Sequence, residues 1–336
     1  MNKGVSTVEG QAAYKPRGLR DYQLKMLFIM PVLILLIVMN IFPLIWSLVL
    51  SFSEYSAIGS QPPDFVGTKN YSRIFAQKST WSYFTTTAYF VILAVFAQFV
   101  IGFGLALLLN REFKGKGTIT TLILIPMMLS PVVVGLFWRF ILDPSLECGL
   151  LNYLLSLPSA ILHSFTAALR FPDGIVDWLQ DVTVKARGIV WLTKPKMALF
   201  SVIIIDTWMW SPFMMLLSLA GLSAVPKYLY EAAEIDRAST WFKFRHITLP
   251  LVAPLLLIAL LFRTMDAFKM FDVVYITTSG GPGSATETVS LNLFRRAFQD
   301  YKTGESCALA YIILIVIIAL SNIYIKYLNK AKGSSE

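Results

Sequence analysis

Charged side chains are scarce in this sequence of 336 residues. Asp, Glu, Lys and Arg make up 15% of it, whereas 56% of the residues are hydrophobic. Soluble domains carry about 25% charged residues, so the composition excludes an ordinary soluble domain. It indicates an integral membrane protein, and one helical bundle can account for the whole length.

Cysteine and histidine are scarcer still, with two residues of each. Cys148 and Cys307 suggest neither a disulfide framework nor a metal cluster, and nothing near His163 or His246 completes a metal site. The phosphate-binding pattern G-x-x-x-x-G-K-[ST] does not occur, and no Ser/His/Asp arrangement is evident. We therefore expect a chain that is not an enzyme and that holds no metal and no cofactor of its own.

Long apolar runs are what the sequence does have. A helix of about 20 apolar residues crosses a bilayer, and six candidate spans follow one another at 26–53, 81–109, 118–138, 197–222, 247–262 and 307–325. Asp206 interrupts the fourth, and the fifth continues beyond 262 through Arg263, Asp266 and Lys269. A weaker candidate, 148–169, is uncharged. The sequence predicts an all-α membrane bundle of six transmembrane helices over residues 26–328, between the tails 1–25 and 329–336.

Basic residues are concentrated in alternate segments between these runs. The segments 1–25, 110–118, 223–246 and 326–336 together contain 15 basic residues (Lys and Arg) but only 7 acidic residues (Asp and Glu). The segments 51–83, 143–196 and 270–306 together contain 11 basic and 11 acidic residues. The positive-inside rule places the first group, with both termini, in the cytoplasm. The net charge of +9 thus reflects topology, and we expect no nucleic-acid partner.

The longest polar passage between two apolar spans covers residues 228–254. Leu229, Ala232 and Ala233 fall on one stripe at helical spacing. Ser239 can cap a second short helix, and Leu249-Pro250 is expected to end that helix. The sequence predicts two short cytoplasmic helices joined by a turn.

This passage resembles the EAA loop of binding-protein-dependent ABC importers. The pattern appears as Glu231-Ala232-Ala233, Asp236, Ala238 and Ile247-Thr248-Leu249-Pro250. Arg237 stands where the family usually has Gly, although a turn with positive φ would disfavour Arg. The resemblance implies that residues 231–238, Arg237 included, form a coupling helix docked on a separate ATPase subunit, which binds ATP and Mg. The alternative is an ordinary amphipathic loop.

Short elements elsewhere resemble maltose-type sugar permeases over about residues 26–325. They are Phe65-Val66-Gly67 with Asn70-Tyr71, Ile125-Pro126, Phe271-Asp272, and Thr278 with Gly280-Gly281-Pro282-Gly283. The resemblance implies a multi-pass permease in a bacterial or archaeal cytoplasmic membrane. Its partners would be a second homologous permease, two ATPase subunits, an external solute-binding protein and a carbohydrate.

The external loop 143–196 is longer than this family leads us to expect. A seventh span at 148–169 would place the EAA loop outside the cell, where no ATPase could meet it. We therefore expect 148–169 to be an amphipathic helix on the outer surface. With 173–184 it would help to dock the solute-binding protein.

The family's sugar cavity lies near the middle of the membrane, lined mainly by the fourth and fifth spans. Ionisable residues at such depth usually face a polar cavity or one another, and aromatic rings beside polar groups suit a sugar. Helical spacing groups the candidates on two faces. The predicted substrate-pathway residues are Asp206, Met209, Trp210 and Phe213 on the fourth span, Arg263, Asp266, Ala267 and Met270 on the fifth, and Met127 on the third.

Plainer interpretations of these residues stay open. Arg263 and Asp266 could be a structural ion pair, and Met209 and Phe213 could serve helix packing alone. The same machinery could carry glycerol phosphate or an acidic sugar, since Arg263 suits an anion. A secondary transporter is a more distant alternative, because the sequence shows no inverted repeats with matched broken helices.

Overall fold

The computed structural model describes residues 21–59, 61–144, 149–154 and 190–333. Regular structure in these ranges is almost entirely helical. The exceptions are two short strands, β1 (Ser53–Glu54) and β2 (Asp64–Phe65). They pair antiparallel, with Ser53 opposite Phe65 and Glu54 opposite Asp64. The predicted all-α fold class is confirmed.

The described helices include both long membrane spans and short connecting segments. They are α1 (Asp21–Leu36), α2 (Phe42–Ser51), α3 (Lys69–Ala76), α4 (Lys78–Leu109), α5 (Lys116–Met128), α6 (Pro131–Ile141), α7 (Pro195–Ser223), α8 (Lys227–Ile235), α9 (Thr240–Lys243), α10 (Leu249–Phe268), α11 (Asp272–Thr277), α12 (Val289–Phe294) and α13 (Thr303–Gly333). Three π-helical turns occur at Ile37–Ile41, Phe244–Thr248 and Arg295–Gln299. Residues 150–154 are also helical.

Five helices in the described ranges are long and apolar enough to cross a membrane. They are Lys25–Ser51, Lys78–Leu109, Pro195–Ser223, Thr240–Phe268 and Thr303–Ala331. A sixth span is present if α5 and α6 count as one, although they meet at an angle of 97°. The structure is therefore a helical membrane bundle of five or six spans.

The bend between α5 and α6 corrects the continuous third span that was predicted at 118–138. Leu129 and Ser130 adopt extended backbone conformations between the two helices. The ring of Pro131 disfavours a helical conformation at the preceding residue, so the chain leaves the helix there. Pro131 then begins α6, where its missing N–H is harmless.

The first span through Val49 and the chain from Leu50 onwards form separate compact units. In the first unit, α1 continues through the π-helical turn into α2. Pro43 cannot donate a backbone hydrogen bond. The preceding turn is wider than an α-helical turn, with the Phe42 N–H donating to the Ile37 carbonyl.

In the second unit, α4 and α7 pack along much of their length, and α10 and α13 complete the main core. The contact between α4 and α7 depends on Gly102. A Cβ there would lie 2.6 Å from the Met214 Cβ and 2.7 Å from the Ser211 carbonyl oxygen, which no larger residue tolerates. Gln98 lies one turn before Gly102 and so shares the face of α4 that meets α7.

An ion-pair cluster joins α3 to the N-terminal end of α13. Arg73 Nη1 donates to Glu305 Oε1 at 2.6 Å, and Arg296 Nη1 lies 3.6 Å from Glu305 Oε2. The hydrogen bond from Arg73 to the Glu305 carboxylate raises the pKa of the guanidinium. This cluster fixes the segment after β2 against the last span.

The predicted surface helix 148–169 lies largely outside the described residues, and the predicted docking segment 173–184 lies wholly outside them. Within the described part, Asn152 is buried and accepts a hydrogen bond from Trp191 Nε1 at 2.6 Å. The start and end of the long loop are thereby held together.

Candidate functional site

Arg263 on α10 is the centre of a polar cluster inside the bundle. Its side chain is 2% exposed, yet each guanidinium nitrogen donates a hydrogen bond. Nε donates to Gln98 Oε1 at 2.7 Å, Nη1 donates to Asp266 Oδ2 at 2.7 Å, and Nη2 donates to Asp206 Oδ2. A buried charge persists when it is paired and hydrogen-bonded in this way.

Gln98 and Asp206 complete the cluster from α4 and α7. The Asp206 side chain is 2% exposed. Its Oδ2 accepts from Arg263 and also from Gln98 Nε2, at 2.7 Å. The Gln98 amide thus donates to the anion and accepts from the cation. One ion pair and one amide therefore tie together three helices.

Trp210 covers the guanidinium on its remaining side. The Arg263 guanidinium carbon lies 4.9 Å from the centroid of the Trp210 ring, close enough for a cation–π interaction. Phe213, one turn further along α7, meets Trp210 edge-on at 6.2 Å. Aromatic faces and the polar cluster are therefore adjacent.

Two cavities open beside this cluster. The smaller one has a volume of about 130 Å³ and the larger one about 450 Å³. Ligand pockets typically measure about 300–1,000 Å³, so the larger cavity falls within that range. The residues that line both cavities are Trp210, Arg263, Asp266 and Lys269.

The structure brings most of the predicted pathway residues to these walls. Seven of the nine line one or both cavities, namely Asp206, Met209, Trp210, Phe213, Arg263, Asp266 and Met270. Lys269, which was not among the nine predicted residues, also lines both cavities.

Ala267 and Met127 lie elsewhere. Ala267 is buried in the main hydrophobic core, because the cavities face the side of α10 that carries Phe262 and Asp266. Met127 precedes the bend that follows α5, so Pro131 at the start of α6 reaches the smaller cavity instead.

Gln98 is the residue that sequence reasoning missed. It is fully buried, and its amide joins Asp206 to Arg263. The available signal was the only side-chain amide in the uncharged run 81–109. Polar groups at membrane depth usually face a partner or a cavity.

The polar passage after α7 forms a second candidate site, a hairpin of α8 and α9. The Ala238 N–H donates to the Ala233 carbonyl at 2.8 Å, and the Arg237 N–H donates to the Glu234 carbonyl at 3.0 Å. This is a Schellman motif, whose C′ residue adopts the left-handed conformation. Arg237 does so with φ 55°, a conformation that L side chains rarely adopt.

The second helix begins as predicted but does not end as predicted. Ser239 Oγ accepts from the Phe242 N–H at 3.2 Å, so the predicted cap is confirmed. The expected end at Leu249-Pro250 is wrong, because the π-helical turn carries α9 directly into α10. Pro250 cannot donate a backbone hydrogen bond to the preceding turn, and the wider π-helical turn lies directly before it.

The hairpin presents apolar side chains outward and is anchored inward. Ile235 is 83% exposed and Trp241 is 67% exposed. Behind them, the Phe244 ring lies 6.1 Å from the Phe103 ring on α4. A groove of about 520 Å³ runs between the helices, lined by Ala232, Ala233, Asp236, Ala238, Ser239 and Phe242.

Metal-ligating side chains do not cluster in the described ranges. No three His, Cys, Asp or Glu residues are grouped closely enough there to hold an ion. Cys307 is a free thiol, and Cys148 lies outside those ranges.

Comparison with known proteins identifies the family. A model of the family described as "Binding-protein-dependent transport system inner membrane component" matches residues 98–333. The chain is 32% identical over 310 residues to the trehalose/maltose transport system permease protein MalF of Thermococcus litoralis, over 91% of this chain and 94% of the relative. It is 29% identical over 316 residues to the trehalose transport system permease protein SugA of Mycobacterium tuberculosis, over 94% and 92% of the two chains.

A solved structure supports the fold. The chain resembles a bacterial ABC transporter involved in the import of the acidic polysaccharide alginate, with a TM-score of 0.74 at 19% identity over 92% of this chain and 96% of the other. The family match itself spans more than half of the sequence. The chain therefore belongs to the inner membrane components of binding-protein-dependent transport systems.

Proposed function

We propose that this chain is the membrane-spanning permease subunit of an ATP-driven importer for a carbohydrate. The cavity between α7 and α10 carries the proposal. There the half-exposed Asp266 and the exposed Lys269 lie beside the rings of Trp210 and Phe213. A sugar offers hydroxyl edges to polar groups and C–H faces to aromatic rings. Two relatives that transport trehalose, or trehalose and maltose, support this substrate class.

A second, apolar cavity suits a sugar less well. It measures about 650 Å³ and is lined mainly by aliphatic and aromatic side chains of α4, α5 and α7, such as Ile101, Leu122 and Phe200. Sugar hydroxyls buried there would lose hydrogen bonds to water and gain few in return. The polar cluster at Arg263 is therefore the better pathway site.

The α8–α9 hairpin is the proposed coupling element. Glu231, Ala232, Ala233, Asp236, Arg237 and Ala238 would dock on an ATPase subunit that binds ATP and Mg. The exposed Ile235 and Trp241 support such an interface. Phe244 contacts Phe103 on α4, the helix that also supplies Gln98. A movement of the hairpin would thus reach the polar cluster through α4.

The assembly and orientation belong to the same proposal. A second homologous permease, two ATPase subunits and an external solute-binding protein would complete the transporter. The α8–α9 hairpin and both termini would lie in the cytoplasm, as the excess of basic residues in those segments predicts. A switch between inward-facing and outward-facing states would require ATP and the loaded binding protein to favour different states.

Co-purification from mild detergent tests the coupling site. Glu231 is exposed on α8, so Glu231→Lys reverses a charge on the proposed interface without disturbing the core. Glu112→Lys is the matched control, since Glu112 is 92% exposed and lies in the connection between α4 and α5. We expect the tagged wild type and the control to recover an ATPase and a second permease, and Glu231→Lys to lose the ATPase. Failure to recover an ATPase with any form would contradict the proposal.

A further inference from the structure

In the sequence, Arg263 was the cation that suited an anionic substrate. Its surroundings in the structure leave it unable to bind one. All three guanidinium nitrogens donate within the protein, to Gln98, Asp206 and Asp266. The side chain is 2% exposed, with Trp210 across its face. A carboxylate or phosphate in either cavity would find almost no guanidinium surface to bind.

The charges that a ligand can reach are those of Asp266, Lys269 and Asp272. The Asp266 side chain is 52% exposed and uses Oδ2 for Arg263. Lys269 is exposed and lines both cavities, whereas Asp272 is exposed at the smaller cavity only, which shares four lining residues with the larger one. Within the described ranges, neither has an ion-pair partner. The accessible set is thus two carboxylates against one ammonium, and like charges repel strongly in a partly desolvated site.

We propose that the two cavities, which share Trp210, Asp266 and Lys269, together select a neutral polyhydroxylated ligand and reject acidic sugars and sugar phosphates. This inference rests on the proposed import function and narrows its substrate class. Asp266 accepts hydrogen bonds from ligand hydroxyls, Lys269 donates to them, and Trp210 packs on a C–H face. Arg263 is a positioning residue that holds the Asp266 carboxylate at the cavity wall.

The selection is built from the α10 and α11 side chains and not from the fold as a whole. A transporter of the same fold is involved in importing an acidic polysaccharide, so the helix arrangement itself does not determine ligand charge. Rejection is a difference between two binding free energies, and a repulsive group contributes as much to it as an attractive one. Asp272 supplies such a group without contacting Arg263.

A matched pair of ligands tests the proposal. Trehalose and trehalose oxidised to a uronic acid at one primary carbon differ in a single charge. The chain with its co-purified partners, in nanodiscs and without the external binding protein, is titrated with each sugar. Thermal stabilisation reports the apparent Kd. We expect the neutral sugar to bind at least about tenfold more tightly at low salt, and salt to reduce this ratio.

Variants assign the selection to the named groups. Asp272→Asn removes one accessible carboxylate. It should lower the ratio of the Kd of the uronate to the Kd of trehalose about threefold or more. Asp300→Asn changes an exposed carboxylate that lines neither cavity and should leave that ratio unchanged. Lys269→Gln should raise the ratio, because it removes the accessible cation.

The outcomes separate this inference from the import function. Equal or tighter binding of the uronate would overturn the neutral selection. Selective weakening of that binding by Arg263→Lys would then assign it to the guanidinium. Binding of neither sugar by a complex that contains its ATPase would also overturn it, while the importer would stand. Selective binding of trehalose by a chain that recovers no ATPase would support the charge selection and remove the importer.

Discussion

Arg263 on α10 and Asp206 on α7 form an ion pair in which both side chains are 2% exposed. Desolvating two charges is costly, and the cost is offset only where their remaining hydrogen bonds are satisfied. Gln98 and Asp266 satisfy them here. Each charge is therefore stabilised only in the presence of the other, and removal of one charge alone should destabilise the folded protein.

Removal of one partner should cost far more than removal of both. Asp206→Asn leaves the buried guanidinium short of one counter-charge, and we expect it to reduce the free energy of unfolding by about 3–5 kcal/mol. Chemical unfolding in detergent measures the change. The double variant Asp206→Asn with Arg263→Met should recover a large part of this loss. A neutral single variant would show that the pair contributes no structural constraint.

Gln98 should matter through its hydrogen bonds and not through its volume. Gln98→Met keeps the length of the side chain but leaves Arg263 Nε without an acceptor. We expect a loss of about 1–3 kcal/mol in the free energy of unfolding, measured in the same assay. Combination with Asp206→Asn should be non-additive, because the two residues share one network. Additive effects would contradict the bridging role.

The approach of α4 to α7 should depend on the absence of a side chain at position 102. Gly102→Ala would place a Cβ 2.6 Å from the Met214 Cβ, and such overpacking typically costs about 1–3 kcal/mol. Gly104→Ala is the control on the same helix, since a Cβ there meets no atom within 4 Å. We expect the control to be neutral or stabilising by up to about 1 kcal/mol. Thermal unfolding of the two variants side by side provides the comparison, and equal melting temperatures would contradict the close packing.

Arg237 should be a strained residue in the hairpin turn. Its φ of 55° is a conformation that costs a non-glycine residue about 1–2 kcal/mol. Arg237→Gly should therefore increase the stability of the hairpin, whereas Arg237→Ala should not, because Ala keeps the Cβ and loses only the charge. Hydrogen exchange of the hairpin amides measures the effect. Equal protection in the Gly and Ala variants would assign the effect to charge instead.

The sequence was informative wherever local rules determine structure. Long apolar runs predicted the spans, and Ser239 predicted a helix cap. Helical spacing placed Asp206 and Trp210 on one face of the fourth span, and Arg263 and Asp266 on one face of the fifth. The family pattern also located the turn at Arg237, but it did not predict the positive φ there, because that conformation disfavours Arg. Each of these depends on residues a few positions apart, or on composition over a whole span.

The rest depended on contacts between distant residues. Hydropathy averaged over 118–138 carries no information on the bend before Pro131. Gln98 can bridge Asp206 and Arg263 only because α4, α7 and α10 pack together, and Gly102 permits the close approach of α4 to α7. Ala267 follows Asp266 directly in sequence, yet it enters the core because neighbouring helix positions point about 100° apart. Whether a charge such as Arg263 is accessible also depends on the packed structure.

Uptake into proteoliposomes tests the central claim, that this chain forms an ATP-driven import pathway for a neutral carbohydrate. The chain would be reconstituted with its co-purified partners and the external binding protein, and radiolabelled trehalose or maltose would be followed with and without ATP inside. We predict accumulation that requires ATP and that Glu231→Lys abolishes. Uptake that persists without ATP and is unchanged in Glu231→Lys would contradict the account and favour a secondary transporter.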